Sequence, residues 1–303
     1  MKTTITNIFQ KILIYRDIRF FKNSFFYYLI FRILRNFLKG FIIVNIYNFK
    51  IYVSTQKNKA SYYILKKCDF DDKHEIETIS KISKIKKIFL LDCGCNYGFY
   101  SFFTASLSKN NKVLAYEASS SIKDEFNKNL SLNNFKNINC KNLAISDTNN
   151  KIIELYESEN DWESSINHSV FDKKITSKTK TTTIDFELQD YDLKEYILCI
   201  KLDIEGSEFN ALKGAKNIIK KFNPIFIIEI SKYNINQMNS NLDFLNNFLF
   251  KNNYLIFDLY QNKVLIKEIK RRIEEVGPNH NTIGNFYLAK NNLETKELFE
   301  KNE

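Results

Sequence analysis

The chain has 303 residues, more than one average domain needs and too few for two large ones, so one main domain with appendages is expected. Hydrophobic residues at 44% and charged residues at 26% are enough to form a core and exclude compositional disorder, and 7 Gly and 2 Pro with no fixed-period repeat exclude collagen-like and solenoid architectures. The net charge of +10 invites a nucleic-acid reading, but residues 1–40 hold eight basic side chains and one acid, Asp17, so this segment alone carries +7 of it and the rest is almost neutral.

Residues 7–39 mix large aromatics (Phe20, Phe21, Phe25, Phe26, Tyr27, Tyr28, Phe31) with Arg and Lys, and lack Gly and Pro until Gly40. This predicts one or two helices, with Arg32, Arg35 and Lys39 on one face. Two roles fit the segment equally: contact with an anionic membrane through residues 1–39, or cover for the main domain. No stretch resembles a signal peptide or an 18-residue span, so a cytoplasmic protein, peripheral at the inner membrane face, is expected. The five cysteines are odd in number, lack zinc-ligand spacing and mostly lie in apolar runs, which reads as reduced thiols.

From Gly40 to Ser54, β-branched and aromatic runs predict a strand pair, and residues 74–85 a short helix. Apolar runs then alternate with helical stretches: strands at 87–92, 113–116, 138–146, 196–204 and 225–230, with helices at 121–133 and 207–221, and late strands at 254–260 and 284–289. That alternation predicts an α/β fold with a mostly parallel sheet covered by helices on both faces. Residues 147–195 break the rhythm, being long and polar, and suggest a substrate-facing lid.

The first chemical signal is Leu91-Asp92-Cys93-Gly94-Cys95-Asn96-Tyr97-Gly98 between a strand and a helix. Its glycines are spaced G-x-x-x-G, not the G-x-G-x-x-G of a dinucleotide turn, and Asp92 would repel a pyrophosphate. A cationic ligand suits it better, and S-adenosylmethionine is one, with an ammonium and a sulfonium and no phosphate. Glu117 ends the next strand, 25 residues on, where a carboxylate can accept both ribose hydroxyl protons. The bland alternative is a tight turn followed by a solvated strand end. A second cluster, Lys201-Leu-Asp203-Ile-Glu205-Gly206-Ser-Glu208, and Glu229 on the following strand gather acids at the carboxyl edge of the sheet. The alternative, that these acids only cap strands and pair with Lys201, suits Glu229 as well as a chemical role does and suits Asp203 less.

These pieces together resemble the FkbM-type S-adenosylmethionine-dependent methyltransferases. The resemblance runs through Asp92-Cys-Gly-Cys-Asn-Tyr-Gly98, Tyr116-Glu117, Ala144-Ile-Ser-Asp147, Thr183-Ile-Asp185, Lys201 to Glu208, Leu212-Lys-Gly-Ala, and Pro224 with Glu229, in family order over about residues 75–290. It departs at Cys95, where Ala is usual. It implies a class I methyltransferase fold, a seven-stranded mostly parallel sheet, across 87–303, preceded by the 41–86 strand pair and helix and the helical 1–40 extension. It also implies an O-methyl acceptor, typically a sugar or polyketide hydroxyl, of which a hydroxyl on a surface-glycan precursor is the expectation here. On that pattern Asp92, Gly94, Asn96, Gly98, Glu117, Ser146 and Asp147 would hold the cofactor, Asp147 near adenine, while Asp203 and Glu205 would face the methyl group.

Asp203 or Glu205 is then the expected general base, with His168 as runner-up among the three histidines (His74, His168, His280). A divalent cation (Mg or Mn) on Asp203 and Glu229 is the alternative route to a more acidic hydroxyl. Trp162 is a candidate platform for a sugar face or a packing anchor. Two rival functions fit the fold. A nucleic-acid methyltransferase acting on base amino groups needs a D/N-P-P-Y/F motif, which prolines at 224 and 278 alone cannot supply. A non-catalytic membrane-associated module of the same fold is at odds with the intact acids. No nucleic-acid partner is expected.

Overall fold

In the computed structural model of the chain, residues 2–34, 40–55, 61–70, 72–157, 164–165, 175–231, 242–275 and 282–299 are described. The chain opens with α1 (Lys2–Tyr15), a 3-10 turn (Ile18–Phe21) and α2 (Phe25–Leu34). The strand pair β1 (Phe41–Ile46) and β2 (Phe49–Ser54) is an antiparallel hairpin. Its two-residue turn puts Tyr47 and Asn48 at positive φ, as a tight hairpin of matching twist requires. The amino-terminal segment packs on this hairpin: Leu13 and Ile18 are fully buried, and Gln10 donates to the Ile43 carbonyl at 2.7 Å. Asp17 ties the junction by accepting from the Arg19 guanidinium and the Tyr47 backbone N–H.

Then follow α3 (Tyr62–Lys67), α4 (Lys73–Ile85), β3 (Lys87–Cys93), α5 (Phe99–Leu107), β4 (Lys112–Tyr116), α6 (Ser120–Ser131) and β5 (Ile138–Lys141). α4 buries Ile76, Ile79 and Ile82, spaced at one helical face. β6 (Ala144–Ile145), β7 (Ile152–Glu157), β8 (Ser164–Ser165) and β9 (Ile175–Thr182) form a small second sheet in the order β6-β9-β7-β8. The polar stretch expected to be a lid is thus partly built as sheet, because buried Thr179 and Thr181 alternate with exposed Lys178 and Lys180 and suit a half-exposed strand. The chain returns through α7 (Ile184–Leu188), β10 (Tyr196–Leu202), α8 (Glu208–Lys213), α9 (Lys216–Phe222) and β11 (Ile225–Ser231). The helix expected over 207–221 is therefore broken at Gly214-Ala215. Helices Leu242–Asn252, Ile266–Glu275 and Leu293–Phe299 alternate with β12 (Tyr254–Phe257) and β13 (Thr282–Lys290).

The main sheet has seven strands in the order β12-β13-β11-β10-β3-β4-β5, parallel except for β13, which runs antiparallel to both of its neighbours. Hydrophobic clusters cover both faces: Ile88, Leu90, Phe99 and Phe102 share one with the amino-terminal segment and hairpin, and Leu91, Ile200, Ile218 and Phe226 belong to the other. From β3 the chain winds outward through β4 and β5, then crosses back to lay β10 on the other side of β3. Strand order reverses between β3 and β10, and a ligand crevice opens beyond the carboxyl ends of strands at such a point. No helix among the described residues is long and apolar enough to cross a membrane.

Candidate active site

The loop after β3 leads the site. Gly94 and Cys95 donate backbone N–H groups to the Tyr116 carbonyl at 2.9 and 3.0 Å, binding this loop to the end of β4. Gly94 takes φ +76, and a Cβ there would overlap the Asp203 carbonyl oxygen, so glycine is needed for the loops after β3 and β10 to touch. Gly98 starts α5 against the rings of Phe102 and Phe126, outside the cleft described below. Asn96 takes φ +48, and its N–H donates to Glu117 Oε2 at 3.0 Å, while the Ser119 N–H donates to Glu117 Oε1 at 3.0 Å. Burial nonetheless raises the Glu117 carboxyl to about 7, the two backbone donors only partly offsetting it.

Asp92 and Lys201 stand side by side in the β3–β10 register, both buried. Asp92 Oδ2 accepts from Ser101 Oγ at 2.6 Å. Burial raises the Asp92 carboxyl, with Lys201 opposing that shift. Burial would lower the Lys201 ammonium, but Asp203 and Asp92 outweigh it and hold the group protonated. Lys201 Nζ donates to Asp203 Oδ2 at 2.7 Å and lies 4.7 Å from the Tyr100 ring centroid. Asp92 therefore lies beneath the cleft and Asp203 opens into it.

The rest of the second motif is mostly scaffold. Glu205 sits at φ +50, a conformation rare for a non-glycine residue and worth notice beside a cleft. Glu208 accepts the N–H groups of Ile204 and Gly206, fixing the loop that presents Asp203 and Glu205, and burial raises its carboxyl to about 7. Asp185 accepts the N–H groups of Asn217 and Ile218, capping α9. A Cβ at Gly214 would overlap the Ser146 carbonyl oxygen, so the Leu212–Ala215 and Ala144–Asp147 segments meet there. Ser146 is buried and Asp147 exposed, and neither lines the cleft.

The cleft has two joined parts. A narrow cavity of about 90 Å³ is lined by Gly94, Asn96, Glu117, Leu143, Ile145, Leu155 and Ile204. A wider one of about 460 Å³ is lined by Tyr63, Asp69, Phe70, Asp72, Tyr97, Tyr100, Lys201 and Glu229. Gly94, Asn96, Asp203 and Glu205 line both. The outer wall of the wide cavity is one that sequence reasoning missed; Tyr100 Oη donates to Asp72 Oδ2 at 2.7 Å there, holding the start of α4 against α5. A second missed residue is Glu187, behind the narrow cavity, which accepts from Tyr116 Oη, Lys141 Nζ and Thr182 Oγ1.

Among the described residues, six carboxylates line the two parts (Asp69, Asp72, Glu117, Asp203, Glu205, Glu229), with Lys201 paired to Asp203 and Lys22 to Asp69. Two further buried acceptors, Asp92 Oδ1 and Asn96 Oδ1, have no hydrogen-bond donor among the described residues. Such a site suits a ligand that brings positive charge and N–H or O–H donors. One carboxylate oxygen from each of Asp203, Glu205 and Glu229 lies within 4.8 Å of the others, a hard-oxygen set that suits magnesium or manganese. His74 packs against the Tyr260 ring at a tilt, 4.8 Å between centroids, and lines neither part. Trp162, His168 and His280 lie outside the described residues.

A family model described as the methyltransferase FkbM domain matches residues 92–256. No curated protein matches the chain. Solved structures that it is similar to include the methyltransferase FkbM from Methylobacillus flagellatus KT, 18% identical with a TM-score of 0.40 over 75% of this chain and 53% of that one. The chain thus spans about half the length of that protein. Others are TYW2 of M. jannaschii in complex with AdoMet (12% identical, TM-score 0.41, 83% of this chain and 85% of that one) and an rRNA methylase from Streptococcus thermophilus (11%, 0.40, 71% and 93%).

Proposed function

Because the chain belongs to the methyltransferase FkbM domain family, we propose that it transfers the methyl group of S-adenosyl-L-methionine to a hydroxyl of a sugar, on a precursor of a surface glycan. The observation that carries this reading is the position of Asp203, at the join of a narrow cavity holding Glu117 and a wide acidic and aromatic one. The cofactor fits the chemistry of the narrow part: its ammonium would supply a donor to the orphaned acceptor Asn96 Oδ1, its ribose hydroxyls would meet the Glu117 carboxylate, and Asp92 beneath would add negative charge without contact. When bound, it supplies a methyl on a cationic sulfur, open to attack by an oxygen in line with the carbon–sulfur bond.

The chain's own part is alignment and proton removal. The wide cavity offers polar acceptors (Asp69, Asp72, Glu229) and aromatic faces (Tyr63, Phe70, Tyr100), which together suit the hydroxyls and C–H faces of a sugar ring. Holding a sugar oxygen in line supplies much of the rate enhancement. Lys201 ties one oxygen of Asp203, leaving the other to accept the hydroxyl proton as the C–O bond forms. A divalent cation on Asp203, Glu205 and Glu229 would serve the same end by acidifying the hydroxyl. The six lining carboxylates weigh against a nucleic-acid acceptor, whose phosphates they would repel.

The test is transfer from methyl-labelled cofactor to a panel of nucleotide sugars, lipid-linked sugars and RNA. Label in an alkali-stable methyl ether on a sugar supports the reading. Label in RNA, or none in any sugar acceptor of the panel, refutes it.

A further inference from the structure

We infer that the outer face of α2, with the adjoining 3-10 turn, docks on the surface of an anionic lipid bilayer. α2 buries Tyr27 and Phe31 against the domain, and Tyr27 Oη donates to the Leu65 carbonyl at 2.9 Å. The opposite face would ordinarily be polar. Instead it carries Phe25 and Phe26, each 74% exposed, with Leu29 and Ile30 one turn further along, so the i,i+4 pairs make a continuous apolar stripe. Phe20 in the turn is 67% exposed, with the Arg16 guanidinium 4.3 Å from its ring centroid.

Charge selects the occupant. Lys11, Arg16 and Arg32 are exposed, and residues 1–40 carry eight bases against one acid. A second copy of the chain would bring like charge against this face, so self-association is opposed. An anionic bilayer offers both complements: phosphate headgroups for Arg and Lys, and an acyl boundary for Phe, Leu and Ile. On its inner side the same segment grips the wall of the wide cavity, where Lys22 Nζ donates to Asp69 Oδ2 at 2.6 Å. Docking would therefore set that wall next to the membrane. The inference does not depend on methyl transfer.

It is tested by floating the full chain, without cofactor or acceptor, with vesicles of phosphatidylcholine alone or of phosphatidylcholine and phosphatidylglycerol at about 7:3. The expected result is at least about tenfold tighter binding to the anionic vesicles, weakened at about 0.5 M salt. Replacing the stripe (Phe25→Gln, Phe26→Gln, Leu29→Gln, Ile30→Gln) should lower binding at least about tenfold with circular dichroism and thermal midpoint unchanged. An Arg16→Gln, Arg32→Gln pair should reduce the preference for anionic vesicles. The inference is overturned if the wild type ignores both vesicle types or floats equally with each, or if the stripe variant floats like the wild type. A wild-type dimer that the stripe variant splits, with vesicles capturing neither, overturns it too.

Discussion

Glu117 offers a sharp test of how the narrow cavity holds its ligand. Burial lifts its carboxyl from 4.5 to about 7, so in the empty protein it is partly protonated at neutral pH. Accepting two ribose hydroxyl protons requires the carboxylate, so binding draws the group to its charged form. Cofactor affinity should therefore hold above pH 7 and fall as pH drops below it. For a single group of pKa about 7, the apparent dissociation constant rises about 25-fold between pH 7.5 and 5.5. Isothermal titration at four or five pH values in buffers of differing ionisation heat reads both the affinity and the protons released. Asp92, also raised, adds a slope of its own, so the decisive comparison is Glu117→Gln. That variant should bind more weakly at pH 7.5 and lose most of the dependence. A wild-type affinity independent of pH, or an unchanged slope in the variant, would refute the reasoning.

Three more outcomes follow from the geometry. Asp203→Asn should lower turnover at least about a hundredfold, because the amide cannot take the hydroxyl proton, while calorimetry finds cofactor affinity within about threefold of wild type. Gly94→Ala should cost about 3 kcal/mol or more in denaturant unfolding, since its methyl would overlap the Asp203 carbonyl and its φ is left-handed. Glu208 is fully buried with a folded pKa of about 7, above its unfolded 4.5, so the stability tied to its proton is present below pH 4.5 and lost as pH rises to 7. Glu208→Gln, which cannot lose a proton, should therefore gain on wild type by about 2–3 kcal/mol between pH 5 and pH 8 in denaturant melts.

The parallel sheet was legible because its strands are buried on both faces and read as unbroken apolar runs, as in Tyr196–Leu202. The acids at strand ends were legible for the same reason, since a charge that stops such a run marks the carboxyl edge. Their individual geometry was not. Asp92 and Glu117 look alike in sequence, yet one lies beneath the cleft beside Lys201 and the other lines the narrow cavity. Ile175–Thr182 falls in the stretch that reads as a lid because nearly every residue is polar; its alternating Thr is the signal for a strand. Gly214 and Ser146 come together from segments about seventy residues apart, a contact no local pattern encodes. The wide cavity's outer wall was invisible for the same reason, since Asp72 meets Tyr100 only once the amino-terminal elements have packed on α5.

The central claim, an acidic cleft that receives a positively charged methyl donor, is tested most directly by calorimetric titration of the full chain at pH 7.5 with S-adenosyl-L-methionine and, separately, with NAD. Saturable one-site binding of the first and no detectable binding of the second is the predicted result. Heat from the pyrophosphate ligand, or none from the methyl donor, would contradict it.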